Sequence, residues 1–349
     1  MRVAVLMGGH STEREVSLAT GRGITRALES IGHEVVPLDM ASGEEFLSTL
    51  WKTMDKGTNA GTGKLKAPGP LFPVSEGRSG PHSAVFQISR SLPAAGWEGG
   101  ADLFFIALHG GFGENGGVQS LLEMMGVPYT GSGPLSSAMA MDKDVSKRLF
   151  RQRGVPTPPW FLVGKRCDAA DVTERIVGTF GFPCVVKPND QGSTVGLTIV
   201  DEPTGVLGAL ALSLTYSAEA LVEKYIPGRE LTVAILGEEA LPVVEIHPEH
   251  RVYDYACKYR EGLSAYTVPA EIPKEVEREI QLQAKRAFCA LKCRGYGRVD
   301  FRFDPKEGLF CLEVNSLPGM TETSLVPKAA RAAGLSFEQL MGRIIELAI

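Results

Sequence analysis

Short apolar runs alternate with amphipathic stretches along the first part of the chain. Residues 2–7, Arg-Val-Ala-Val-Leu-Met, are an apolar, β-branched run that predicts a buried strand. Gly8-Gly9 turns the chain, and a helix is expected from Ser11 to Glu15 onward, with Thr12 and Glu15 spaced as a capping box. Further strands are predicted at Glu34–Leu38, Asp102–Leu108 and Val127–Thr130. This βαβ periodicity calls for a parallel sheet with helices on its faces. Lys52–Gly100 breaks the pattern. It is rich in Gly, Pro, Ser and Lys and reads as an insertion, a surface loop with one hairpin and no nameable chemistry.

The second half reads as α+β. A helix is expected from Met141 to Gln152, then a linker over Gly154–Pro159, a strand at Trp160–Val163, a helix over Asp168–Thr179 and a strand at Pro183–Pro188. Strands follow at Ala220–Ile226, from Gly228 through Leu236, and at Leu241–Ile246. His250–Tyr266 is a polar loop and Pro273–Leu291 an amphipathic helix. The strands Tyr296–Phe303 and Gly308–Val314 are joined by Pro305–Gly308, and helices near Ser324–Ala333 and Ser336–Leu347 close the chain.

Composition narrows the class. The 349 residues suffice for two or three domains, with 44% hydrophobic and 22% charged residues, as in ordinary soluble proteins. A net charge of −5 argues against nucleic-acid binding through a basic face. No run reaches membrane-span length, and Met1–Met7 is too short for a signal-peptide core, so a cytoplasmic location is expected. The six cysteines form no Cys-x-x-Cys, which points to reduced thiols.

Candidate chemistry concentrates late in the chain. Side chains two apart on a strand share a face, so Arg298 with Asp300, and Glu313 with Asn315, would line one wall if their strands pair. That wall holds an all-oxygen ligand set suited to Mg²⁺ and a guanidinium able to meet developing charge. A hairpin with a solvated polar face is the plainer alternative; the Asn315-Ser316-Leu317-Pro318-Gly319 turn favours a site. Lys187 ends a strand and precedes the loop Asn189–Gly196, which can cover a polyphosphate with backbone N–H groups but is not a Walker motif. His109 ends a strand before a glycine-rich loop, where open sheets place ligands, or else bonds loop backbone. Glu15 has a structural role in capping, while Glu13 is left open as a partner for a cationic group. Gly8-Gly9 lacks a full dinucleotide fingerprint, which weakens a dehydrogenase reading.

Lys143, Val186-Lys187-Pro188, the glycine loop, Glu223-Lys224-Tyr225-Ile226, Arg298-x-Asp300 and Glu313-x-Asn315, in that order, resemble the ATP-grasp superfamily. Gly8-Gly9 followed by Glu13-Arg14-Glu15-Val16-Ser17, Ala107-Leu108-His109-Gly110, Tyr129–Gly133, Met141-Asp142-Lys143 and Asn315-x-x-Pro318-Gly319-Met320-Thr321 closely resemble the D-alanine–D-alanine ligase family. The resemblance covers nearly the whole chain outside Lys52–Gly100.

The resemblance implies a substrate-binding α/β domain over 1–140 and two ATP-grasp subdomains over 141–226 and 227–349, with ATP held between two antiparallel sheets. It implies phosphate contacts from Lys143 and Lys187, adenine contacts from Glu223, Tyr225 and Ile226, and a ribose contact from Glu230. Two Mg²⁺ (or Mn²⁺) ions would sit on Asp300, Glu313 and Asn315. Glu13 would take the ammonium of the first D-alanine, and Arg298 and the Gly319 N–H would stabilise an oxyanion. Ser193 and Tyr259 would lock two loops together. Lys258, Ser324 and Leu325 would lie near the second D-alanine, and His109 somewhere in the substrate site. The implied reaction forms D-alanyl-D-alanine through an acyl phosphate, in a homodimer. Its rivals are the same fold with D-lactate or D-serine as acceptor, disfavoured by Tyr259, and a nucleotide-binding module with a degenerate site.

Overall fold

The structure is a computed structural model, and it describes residues 1–11, 13–41, 100–249 and 264–349. The expected features of Lys52–Gly99 and of His250–Leu263, with Lys258 and Tyr259, lie outside the described residues.

Three sheets organise the chain. β1 (Arg2–Met7) lies between β2 (Glu34–Asp39) and β3 (Leu103–Ile106), all parallel. α1 (Arg14–Ser30) returns the chain from β1 to β2, and α2 (Gly117–Met124) and α3 (Pro134–Met141) follow β3. α4 (Lys143–Gln152) is capped by Asp142, whose carboxylate accepts the Val145 N–H at 3.0 Å. The second sheet is antiparallel, in the order β4 (Trp160–Gly164), β7 (Glu219–Lys224), β5 (Cys184–Pro188), β6 (Thr198–Val200). α5 (Ala169–Thr179) and α6 (Val206–Tyr216) cover it.

The third sheet is also antiparallel. Its path is β11 (Ser264–Thr267), β10 (Val244–Pro248), β8 (Arg229–Leu236), β12 (Tyr296–Asp304), β13 (Gly308–Asn315), with β9 (Glu239–Ala240) paired on β8. α7 (Lys274–Ala290) buries Ile280, Ala284, Ala287 and Phe288 against it, a stripe at helical spacing. α8 (Leu325–Ala332) and α9 (Phe337–Glu346) end the chain, α9 with a capping box between Ser336 and Gln339.

Strand alternation explains how this sheet joins two cores. Leu231, Val233 and Ile235 of β8 pack with α7 and Phe150 of α4. Ala234 and Leu236, on the opposite face, share a core with β1, β3, α8 and α9. The parallel sheet and the large antiparallel sheet are therefore packed on common side chains. Gly154–Pro159 is equally tied down: Val155 is buried and the Pro156 carbonyl accepts the Cys311 N–H at 2.7 Å.

Several local expectations are corrected. The capping-box expectation falls on Thr12, which lies outside the described residues; α1 begins at Arg14, and Glu13 occupies the cap position without a side-chain cap bond. Ser11 shapes this entry instead. Its hydroxyl donates to the His109 carbonyl at 2.6 Å and accepts the Glu13 N–H at 3.2 Å. Val127–Thr130 pairs only through a bridge between Phe104 and Tyr129, since Pro128 has no N–H to extend a ladder. The strand expected at Leu241–Ile246 lies at Val244–Pro248. β6 and α6 have no counterpart among the predicted elements. Leu207 and Leu212 are exposed on α6, so its apolar residues make no single stripe.

Candidate active site

A cleft opens between the two antiparallel sheets. One wall carries Lys187 from β5, residues 191–195 of the glycine loop, and Glu223, Lys224, Tyr225 and Ile226 from β7 and the turn after it. The facing wall carries Glu230, Asp300, Arg302 and Glu313, and Lys143 closes one side.

The hairpin of β12 and β13 builds the acidic wall as the alternation requires. Arg298 pairs with Asn315 and Asp300 with Glu313, just before a register shift at Phe301. Val299 and Phe301 point into the core beneath. Asp300 is held from three sides. Arg298 donates Nε–H and Nη2–H to its two oxygens, both at 2.8 Å. Thr232 donates its hydroxyl at 2.6 Å, and the Asn315 amide donates at 2.9 Å. Glu313 faces Lys143, whose Nζ lies 3.5 Å away.

Lys143 ties this wall to the glycine loop by donating to the Gln191 carbonyl at 2.6 Å. Asn189, at the base of the loop, bonds both Asp142 and the Asp144 N–H. Ser193 and Thr194 adopt φ of 52° and 62°, a left-handed conformation that non-glycine residues rarely take. In this shape the Ser193 hydroxyl donates to Glu13. Glu13 is buried, and Gly110 passes so close that an added Cβ would lie 2.9 Å from Glu13 Oε2. The glycine loop thus joins the cleft to the end of the parallel sheet. Buried His109 lies there too, its Nε2 3.1 Å from the Thr20 hydroxyl and its Nδ1 3.6 Å from Glu114. Gly319 approaches Ser324, whose hydroxyl accepts the Thr321 N–H at 3.1 Å, and Leu325 is buried at the start of α8.

Two residues missing from the sequence reading complete the cleft. Arg302 donates to the Ile226 carbonyl at 3.1 Å and pairs with Glu230 at 3.2 Å, fixing the strip opposite the acidic wall. It continues the period-two series Arg298, Asp300, Arg302, so the strand pattern held a signal for it. Lys147 is fully buried, with its Nζ 2.8 Å from Glu223 and 2.6 Å from the Thr157 hydroxyl. Lys187 reaches the other Glu223 oxygen at 2.5 Å. Burial pushes Glu223 upward, but Lys147 and Lys187 outweigh it and hold the carboxyl below its ordinary range.

The donor set fits hard cations. Asp300, Glu313 and the amide of Asn315 offer oxygen ligands on adjacent strands, but the described residues contain no group of three acidic, His or Cys side chains close enough to hold a metal alone. Mg²⁺ sites commonly combine one or two carboxylates with oxygens of a bound phosphate.

Two antiparallel sheets closing on a cleft of lysines, a glycine loop and an acidic hairpin define an ATP-grasp fold. Comparison with known proteins carries this further. The family model described as the D-ala D-ala ligase N-terminus matches residues 2–132, and that of the D-ala D-ala ligase C-terminus matches 149–346. The chain is 40% identical over 356 residues to a D-alanine–D-alanine ligase of Pelotomaculum thermopropionicum, covering 100% of this chain and 97% of the relative. A D-alanine–D-alanine ligase structure from Bacillus anthracis, complexed with ATP, matches with a TM-score of 0.73 at 30% identity, over 100% of this chain and 97% of that one. The VanG D-Ala:D-Ser ligase of Enterococcus faecalis matches with a TM-score of 0.75 at 27% identity, over 100% and 99%. The chain belongs to the D-alanine–D-alanine ligase family.

Proposed function

We propose that this chain joins two D-alanine molecules into D-alanyl-D-alanine, a peptidoglycan precursor, converting ATP to ADP and phosphate. The observation that carries this reading is the Ser193–Glu13 bond. It brings a buried carboxylate, suited to an amino acid's ammonium, up to a loop that lines the polyphosphate cleft.

A carboxylate does not condense with an amine at neutral pH, because its oxygen is a poor leaving group. In the proposed route a carboxylate oxygen of the first D-alanine bonds to the γ-phosphorus as the bond to the β-phosphate oxygen breaks, releasing ADP. The neutral amine of the second D-alanine then attacks the acyl carbon, loses a proton, and expels phosphate. Phosphoryl transfer depends mainly on positioning and charge neutralisation. Lys143 and Lys187 suit the phosphates. Tyr225 and Ile226 suit the adenine ring, Glu223 its amino edge, and Glu230 the ribose. Asp300, Glu313 and Asn315 suit Mg²⁺ or Mn²⁺, which would neutralise charge on the transferring phosphoryl group.

Arg298 commits two N–H groups to Asp300, which aims its guanidinium along the wall; with the Gly319 N–H it suits the oxyanion of the tetrahedral intermediate. Glu13 orients the first D-alanine, with His109 near it. Ser324 and Leu325, with Lys258, suit the second. Ser193, with Tyr259, closes the loops over the acyl phosphate and excludes water.

The test is phosphate release from MgATP with D-alanine, with L-alanine, and with D-alanine plus excess D-lactate or D-serine, identifying products by mass. Release that requires D-alanine and yields the dipeptide against both competitors is expected. A mixed product would overturn the acceptor assignment, and no release would leave only a nucleotide-binding module.

A further inference from the structure

Lys147 is a fully buried lysine that the proposed chemistry leaves without a task. It sits one helical turn after Lys143, on the same face of α4. Its Nζ donates to Thr157 at 2.6 Å and lies 5.1 Å from the centre of the Trp160 ring, and Trp160 pairs with Glu223 across β4 and β7. Burying an ammonium this completely is costly unless a charge repays it. The repayment is Glu223, 3% exposed, with Oε2 2.8 Å from Lys147 and Oε1 2.5 Å from Lys187. Oε2 is buried and makes the ion pair without a well-directed hydrogen bond.

The two lysines are not equivalent. Lys187 lines the cleft, where incoming phosphates compete with Glu223 for it. Lys147 is fully buried, out of reach of incoming phosphates, and stays. If Lys187 turned to phosphate and Lys147 were absent, a carboxylate this buried would take up a proton. It would then be a hydrogen-bond donor as well as an acceptor.

We propose that Lys147 is a positioning residue for purine selection: paired with Glu223, it keeps that carboxylate a pure acceptor, so the site takes a 6-amino purine and rejects a 6-oxo purine. This rests on the reading that Glu223 meets the amino edge of adenine. The carboxylate accepts the 6-amino N–H of ATP but faces the carbonyl oxygen of ITP with a second acceptor. Sites built around a buried hydrogen-bonding group discriminate strongly, because the wrong ligand leaves that group unpaired.

The experiment compares kcat/KM for ATP and ITP in the wild type and in the Lys147→Met, Lys147→Arg, Thr157→Val and Glu223→Gln variants. Lys147→Met should lower the ATP-to-ITP ratio by on the order of tenfold or more, mainly through KM, and Lys147→Arg should restore part of it. Thr157→Val, which removes only the anchoring hydroxyl, should lower the ratio by a smaller factor and supplies the reading if Lys147→Met does not fold. Glu223→Gln should lower the ratio too, since an amide presents both donor and acceptor. If Glu223→Gln shifts the ratio but the Lys147 and Thr157 variants only lower activity toward both nucleotides equally, the inference is overturned. If Glu223→Gln leaves the ratio unchanged, the adenine reading itself fails.

Discussion

Gly228, in the turn between the two cleft walls, gives a quantitative test of how tightly those walls are joined. Its φ is +87°, and a Cβ added there would lie 2.3 Å from the Phe303 carbonyl oxygen and 3.0 Å from Asp304 Cα. Both obstacles are backbone, so relief requires the start of β8 to move from β12, where Arg229 pairs with Phe303. The left-handed conformation alone costs an alanine about 1–2 kcal/mol. Moving the strand also stretches the Arg302 bond to the Ile226 carbonyl, worth about 0.5–1.5 kcal/mol, and overpacking adds roughly 1–3 kcal/mol. Gly228→Ala should therefore cost about 2.5–6.5 kcal/mol. Gly308→Ala supplies the control. Its φ is +103° but nothing lies within 4 Å of the added Cβ, so only the conformational cost of about 1–2 kcal/mol applies. Gly178→Ala, in α5 with open space and no positive φ, should stabilise by about 0.5–1 kcal/mol. Denaturant unfolding followed by circular dichroism, with thermal midpoints as a check, reads all three. The clash argument is refuted if Gly228→Ala costs no more than Gly308→Ala.

Arg298→Ala should fold, as judged by an unchanged far-ultraviolet spectrum, and lose about 10²–10³ in kcat; normal turnover would remove it from the oxyanion role. Chelation of divalent ions should abolish phosphate release, and Asp300→Asn should raise the Mg²⁺ concentration needed for half-maximal rate, whereas an unchanged Mg²⁺ titration would separate Asp300 from the metal. Acid should weaken the Arg14–Asp39 pair. Hydrogen bonds from Arg14 hold Asp39 well below the usual carboxylate range, so its stabilisation is present above about pH 4 and is lost as pH falls toward the folded value. The drop in thermal midpoint between pH 7 and pH 3 should shrink in Asp39→Asn; an undiminished drop would mean the pair does not contribute.

Local order along the chain determined much of this protein. Period-two alternation in 296–315 placed Arg298, Asp300, Glu313 and Asn315 on one face, and the strands pair in the register that brings Asp300 opposite Glu313. The apolar runs of β1, β3, β5 and β8 were legible because each buries a face or both. The same reading missed α6, whose apolar residues ring the helix and so leave no periodic stripe to read.

Other features exist only in three dimensions. Glu13 and Ser193 stand 180 positions apart and meet because α1 and the glycine loop are carried to one point by different sheets. Lys147 and Glu223 become a buried pair because the fold brings α4 and β7 together, and nothing in the pattern of either segment announces it. The shared core that sets the parallel sheet against β8 and α8 likewise depends on which faces are left apolar once every strand has paired. Periodicity tells which way a side chain faces within its own element. Which element it faces is decided by packing, because the free energy of burying a face depends on the partner surface that covers it.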